Sequence, residues 1–186
     1  MQIEKEIEFK TEITKNQYDN LISKFQLEKN IYKITNHYFE TANKSLMKSK
    51  KTLRIRIKDD KEYTLTLKEK ANIGTNESNL TLKEKDALEM LYAGFNLKDL
   101  FLIDVNVYPY GKLTTYRVSI PYKEGELFFD KFEYYGITKY EIEYEAKYYG
   151  LGYKIFTDFL KAENIKFIPT MKKSRRVFQY LKDNNQ

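Results

Sequence analysis

Residues 4–10 read Glu-Lys-Glu-Ile-Glu-Phe-Lys, and this stretch decides how the rest of the chain is read. In an extended segment successive side chains point to opposite faces. Glu4, Glu6, Glu8 and Lys10 therefore share one face, and Ile3, Ile7 and Phe9 share the other. Glutamate is a poor strand former, and like charges on one face repel. A sequence that keeps this block needs something to offset the repulsion.

The same sorting recurs along the chain. Arg54, Arg56 and Lys58 alternate with Leu53, Ile55 and Ile57, and Thr64, Thr66 and Lys68 with Tyr63, Leu65 and Leu67. Thr115, Arg117 and Ser119 alternate with Tyr116, Val118 and Ile120, and Glu141, Glu143 and Glu145 with Tyr140, Ile142 and Tyr144. Antiparallel sheets with one solvated face alternate in this way routinely. Here, however, the signs are sorted strand by strand, which a solvated face does not require. A barrel whose charged faces turn inward, toward metal ions and a polyanion, accounts for the acidic and basic blocks together.

Composition narrows the chemistry. The 186 residues suffice for one domain with a real core, and 1–186 reads as a single domain without repeat or linker. Charged residues make up 32%, above the roughly 25% of ordinary domains, and the net charge of +6 allows an acidic partner without demanding one. The chain has no cysteine, which removes disulfides, thiolate metal sites and thiol catalysis and suits a reducing compartment. With a single histidine as well, any metal must be held by oxygen, which favours Mg²⁺ or Mn²⁺. No apolar run approaches the ~18 residues of a membrane span, and the charged start lacks a secretory apolar segment, so a cytoplasmic protein is expected. Arginine occurs only at 54, 56, 117, 175 and 176 in a lysine-rich chain. Its retention there suggests a need for a planar, bidentate cation.

The patterns predict strands at 2–10 and 31–40, a hairpin of 51–58 and 61–70 turning at Asp59-Asp60, and strands at 112–122, 125–132 and 138–148. Helices are expected at 15–26, where Thr14 and Gln17 can form a capping box, at 81–103 with a second box from Thr81 and Glu84, and at 152–164. Residues 71–79 read as a loop, and the end of the chain as a basic tail.

The segment EIEFK resembles the ExExK signature of the CYTH domain, or triphosphate tunnel metalloenzyme, family. HYFET (37–41), LRIR (53–56), TLTLK (64–68), GTNE (74–77), FFDKFEYYGITKYEIEYEA (128–146) and MKKSRR (171–176) resemble the family's further motifs in order. They cover nearly the whole chain, and together they resemble most closely the small stand-alone bacterial members.

The resemblance implies an α+β fold: a closed eight-stranded antiparallel β-barrel, a tunnel, with helices packed outside. It implies that Glu6, Glu8, Asp130, Glu141 and Glu143 hold Mg²⁺ or Mn²⁺, and that Lys10, Arg54, Arg56, Lys68, Arg117, Lys172 and Arg175 cradle a triphosphate. Glu6, Glu8, Lys10 and Glu143 would be the catalytic set. Metal bridged between glutamates and phosphate oxygens would offset the repulsion noted at the outset. Two tail registers fit, Lys172 with Arg175 and Lys173 with Arg176. Glu145 reads as a third ligand or a rim residue, Glu77 as a ligand, a partner for a base, or neither, and His37 as structural.

The expected activity is metal-dependent hydrolysis of inorganic triphosphate or of a nucleoside or thiamine triphosphate by a monomer or homodimer. Alternatives are a class IV-type adenylate cyclase and a non-catalytic module that binds polyphosphate or nucleotide. Retained glutamates count against a pure anion trap. A nucleic-acid binder would want a basic stripe with exposed aromatics, whereas acids and bases share one face here, so neither nucleic acid nor membrane is expected as a partner.

Overall fold

The computed structural model describes residues 2–184, with side chains from residue 4 onward, so the side chain of Ile3 lies outside the described residues. The chain forms two compact units, one of 1–5, 34–113 and 173–186, the other of 6–33 and 114–172.

The second unit holds β2 (Glu8–Ile13), α1 (Lys15–Lys24), β9 (Gly125–Tyr134), β10 (Ile137–Ala146), α5 (Tyr149–Ala162) and the later part of β8 (Asn106–Tyr122). Its strands run in the order β8-β9-β10-β2, all antiparallel. One face is apolar because Phe9, Val118, Leu127, Phe129, Ile142 and Tyr144 alternate with polar residues, and α1 and α5 cover it. Leu21 and Ile22 of α1 and Phe156, Phe159 and Leu160 of α5 complete that core. Each such side chain contributes about 1.5–3 kcal/mol on full burial. The expected capping box starts α1: Gln17 N donates to Thr14 Oγ1 at 3.2 Å and Thr14 N to Gln17 Oε1 at 2.9 Å. Gly152 lets α5 lie close to the sheet, since a Cβ there would stand 2.3 Å from the Ala146 side chain.

The first unit holds β1 (Gln2–Glu6), β3 (Tyr32–Glu40), α2 (Ser45–Lys48), β4 (Lys51–Lys58), β5 (Glu62–Lys70), β6 (Thr75–Leu82), α3 (Glu84–Ala93), β7 (Phe95–Asn96), α4 (Lys98–Phe101), the start of β8 and α6 (Lys173–Asp183). Its strand order is β1-β6-β5-β4-β3-β8, with β7 on β8. Leu53, Ile55, Leu65 and Leu67 build a second core with Ala87 of α3 and Leu97. The hairpin turns at Asp59 and Asp60, both at positive φ. Buried Glu40 serves the backbone here: Thr41, Leu46 and Met47 donate their N–H groups to it at 2.8, 3.0 and 2.9 Å. No described helix is long and apolar enough to cross a membrane.

An antiparallel sheet with helices on its apolar side agrees with the sequence, but the described residues form ten strands rather than eight. The expected strand 2–10 breaks at Ile7, with β1 beside β6 and β2 beside β10. Residues 71–79, expected as a loop, supply most of β6, which pairs along β5 despite its Asn, Glu and Ser content; partner pairing overrides local propensity. The helix expected over 81–103 starts at Glu84, without the Thr81 box, and stops at Gly94. Gly94 sits at φ 76°, and a Cβ there would meet the Val107 carbonyl at 2.3 Å, so only glycine fits. The basic tail is the helix α6, whose Phe178 packs between Tyr38 and Tyr110 at 5.6 and 5.3 Å between ring centres.

Candidate functional site

Strand pairing aligns the charges of the second unit in rows. One row runs Arg117, Asp130, Glu141, Glu12; the next Ser119, Phe128, Glu143, Lys10; the next Glu126, Glu145, Glu8. Directly opposed residues on neighbouring strands bring their side chains together. Asp130, Glu141 and Glu143 are buried, and one carboxylate oxygen from each lies within 4.8 Å of the others.

Two bases are threaded through these acids. Arg117 donates from Nε to Asp130 Oδ1 at 2.7 Å and from Nη2 to Asp130 Oδ2 at 2.6 Å, and Nη2 also reaches Glu143 Oε2 at 2.5 Å. Its guanidinium lies 4.5 Å from the centre of the Phe128 ring. Lys10 Nζ stands 2.8 Å from Glu8 Oε1 and 3.2 Å from Glu143 Oε1. Burial works against the charge on Lys10, but Glu143, Glu8 and Glu141 together hold its pKa well above the usual lysine value. For Arg117, burial is likewise outweighed by Asp130 and Glu143. At Glu145 the acids prevail: burial first, then Glu6, push its carboxyl up to about 7 against the pull of Arg117. This face therefore carries more negative charge than Lys10 and Arg117 balance. Its donors are hard oxygens, three of them clustered and buried, and such a set fits a divalent cation such as Mg²⁺ or Mn²⁺.

The first unit carries the other expected bases on one face. Its rows run Tyr38, Arg54, Thr66, Asn79; then Asn36, Arg56, Thr64, Thr81; then Thr52, Lys68, Glu77. Arg54 is buried, and its Nε has no hydrogen-bond partner among the described residues. Arg56 Nε donates to Asn36 Oδ1 at 3.4 Å. Lys68 and Glu77 form an ion pair, and Arg54 Nη2 lies 3.9 Å from Glu77 Oε2.

The structure thus brings Glu8, Lys10, Arg117, Asp130, Glu141 and Glu143 together, with Glu6 felt through its charge on Glu145. Arg54, Arg56 and Lys68 share the polar face of the first unit. Lys172 and Arg175 are exposed, whereas Lys173 and Arg176, one turn apart on α6, are half-buried. Glu12 was not picked out from the sequence, although it continues the alternation beyond Lys10; Lys139 pairs with it at 2.7 Å. Phe128 was likewise missed, an aromatic on the charged face of β9.

Residues 4–178 match the CYTH domain. YjbK of Bacillus subtilis, a candidate triphosphatase by name, is 34% identical over 96% of this chain and 97% of its own. A solved Bacillus halodurans structure, described as a candidate adenylate cyclase, is 36% identical with a TM-score of 0.86 over 95% of this chain and 98% of that one. The structure of HpAC1 from Hippeastrum, a candidate adenylyl cyclase described as having a dominant triphosphatase activity, has a TM-score of 0.77 at 22% identity, covering 94% of this chain and 95% of that one. The fold class expected from the sequence, an antiparallel β-barrel flanked by helices, is the one these likenesses carry.

Proposed function

The chain belongs to the CYTH domain family, and on that premise we propose that it is a divalent-metal-dependent phosphohydrolase that cleaves inorganic triphosphate or a nucleoside or thiamine triphosphate. The observation that carries this reading is the buried acid cluster of Asp130, Glu141 and Glu143, interleaved with Lys10 and Arg117. A pure anion trap gains nothing from buried carboxylates, whereas a metal-assisted phosphohydrolase needs them. The name of the Bacillus subtilis relative points the same way.

In this reading Glu6, Glu8, Asp130, Glu141 and Glu143 hold Mg²⁺ or Mn²⁺. A cation held by these carboxylates would supply charge neutralisation and Lewis-acid polarisation of the phosphate. Lys10 and Arg117, kept charged by their acidic neighbours, donate hydrogen bonds to phosphate oxygens. Glu8 and Glu143 orient the attacking water and accept its proton, with Glu6 completing the acidic set. Arg54, Arg56 and Lys68 bind further phosphate oxygens, and the Arg54 Nε–H is a donor in want of such an acceptor. Lys172 and Arg175 are assigned to the same anion. Most of the acceleration then comes from positioning and charge stabilisation. Residues 1–186 work as one functional domain, a cytoplasmic enzyme acting on a small molecule.

The 36% identity to a candidate adenylate cyclase favours one second reading, the conversion of ATP to cyclic AMP. A single screen separates the two. The protein is incubated with triphosphate, ATP, GTP and thiamine triphosphate, each with Mg²⁺, Mn²⁺ or EDTA, and orthophosphate, pyrophosphate and cyclic AMP are measured. Orthophosphate release that EDTA abolishes is expected. Pyrophosphate and cyclic AMP from ATP would replace the hydrolase reading with the cyclase one, and no turnover of any substrate would refute both.

A further inference from the structure

The triphosphatase reading assigns no part to Glu77, yet it shares the base-bearing face of the first unit with Lys68 and Arg54. Glu77 is 8% exposed and Arg54 is 9% exposed. Register places Glu77 directly opposite Lys68, on the neighbouring strand, and diagonal to Arg54 across Thr66. One carboxylate oxygen pairs with Lys68 Nζ, and the other faces Arg54 Nη2 at 3.9 Å. The side chain between them is settled elsewhere, since Thr66 Oγ1 donates to Asn79 Oδ1 at 2.8 Å. Arg54 Nε is buried without an acceptor among the described residues.

We propose that Glu77 is a positioning residue: its carboxylate draws Lys68 and Arg54 into one array, so that both can bind oxygens of the same triphosphate. The inference rests on the triphosphatase reading. Lys and Arg are long, rotamer-rich side chains, and two cations on adjacent strands repel each other. An acid placed between them relieves that repulsion and fixes both ends. Register places a third base, Arg56, in a further row of the same face. Glu77 engages Arg54 through Nη2, at a distance longer than a hydrogen bond, so the fork keeps Nε available for an anion. A competing possibility, that the carboxylate merely repels the incoming polyanion, predicts the opposite sign on removal.

The test uses the full chain and inorganic triphosphate. Glu77→Gln keeps the shape and removes the charge, and Glu77→Asp keeps the charge at shorter reach. Turnover is followed by phosphate release, and binding by calorimetry without metal. Glu77→Gln is expected to raise KM and Kd about tenfold, the scale of coupling inside one salt-bridge network. Its kcat should stay within about threefold, because the aligned bases bind ground and transition state alike. Glu77→Asp should recover part of the loss, and in a Lys68→Met background Glu77→Gln should cost much less. The chain has only five arginines, so ¹⁵Nε–¹Hε spectra give a readout independent of activity. The Arg54 signal, assigned through Arg54→Lys, should move in Glu77→Gln while the Arg117 signal stays in place and reports an intact fold. Unchanged or tighter triphosphate binding, or an unmoved Arg54 signal, overturns the proposal. A parent protein that neither binds nor hydrolyses triphosphate refutes the functional reading instead.

Discussion

Arg117 holds Asp130 in a fork, Nε to Oδ1 at 2.7 Å and Nη2 to Oδ2 at 2.6 Å, with Glu143 Oε2 against the same Nη2. Asp130 is fully buried, and the guanidinium fork compensates its charge there. Removing one partner of a buried ion pair costs about 3–5 kcal/mol, because the other charge is left uncompensated. Arg117→Met should therefore lose about that much stability in EDTA, and Arg117→Lys less, since a point charge replaces the fork. Mn²⁺ should restore part of the loss by taking over the neutralisation. Urea unfolding of both variants, with EDTA and with Mn²⁺, checks this. A Met variant as stable as the parent would show that the fork holds nothing.

The glutamates of the opening stretch make a second prediction. Glu6→Gln and Glu8→Gln keep side-chain shape while removing charge that a hard cation needs. Triphosphate hydrolysis should fall by about 10²-fold or more, the scale seen when one electrostatic contact to a transition state is lost. Stability without metal should stay level or rise, most clearly for Glu6→Gln, because Glu6 adds to the crowding around Glu145. Glu8→Gln also removes a partner of Lys10, which limits its gain. Full activity in both variants would reject the assignment of these residues to the metal.

Period-two alternation made most of this legible. It placed Glu8, Lys10, Arg117, Glu141 and Glu143 on charged strand faces, and pairing in register then brought those faces together. Alternation says nothing about which strands pair. The break at Ile7 was hidden for that reason: a one-residue gap leaves the face pattern almost unchanged while β1 and β2 take different neighbours. The Arg117–Asp130 fork was hidden for the same reason, since thirteen residues and a turn separate its halves. β6 is hidden because its Asn, Glu and Ser residues are poor strand formers, and pairing with neighbouring strands supplies what propensity lacks. Charge dominates the sequence of the tail and masks the buried anchor Val177-Phe178 inside it.

His37 offers a pH test outside the charged cluster. It faces Ile55 across the β3–β4 ladder, and burial first, then Lys112, lower its pKa below the usual value of 6.5. The unfolded chain therefore binds a proton near pH 6.5 that the folded chain refuses. This contribution to stability is present above pH 6.5 and is lost as pH falls below it. His37→Gln should lose that slope while carboxylate contributions continue unchanged. Urea midpoints of parent and variant at several pH values between 5 and 8 measure the difference. Identical profiles would show that His37 titrates alike in both states.

The retained arginines give the last prediction. Arg54 and Arg56 are two positions apart on one face of β4, so their guanidinium groups can grip successive phosphates. Arg54 has a buried Nε without a partner among the described residues, whereas Arg56 Nε is loosely held by Asn36 Oδ1 at 3.4 Å. Lysine keeps the charge but loses the planar fork. Arg54→Lys should therefore lower kcat/KM on the best triphosphate by about tenfold, the size of a lost charge-assisted hydrogen bond, and by less than Arg54→Ala. Arg56→Lys should follow the same order with a smaller loss, because a neighbour already occupies its Nε. Arg176 sits half-buried on α6, and the same exchange there should matter least. Kinetics of the three lysine variants decide it. A larger loss at Arg176 than at Arg54 would shift the anion contact to the half-buried side of α6. Three variants matching the parent would mean that arginine was not kept at these positions for its fork.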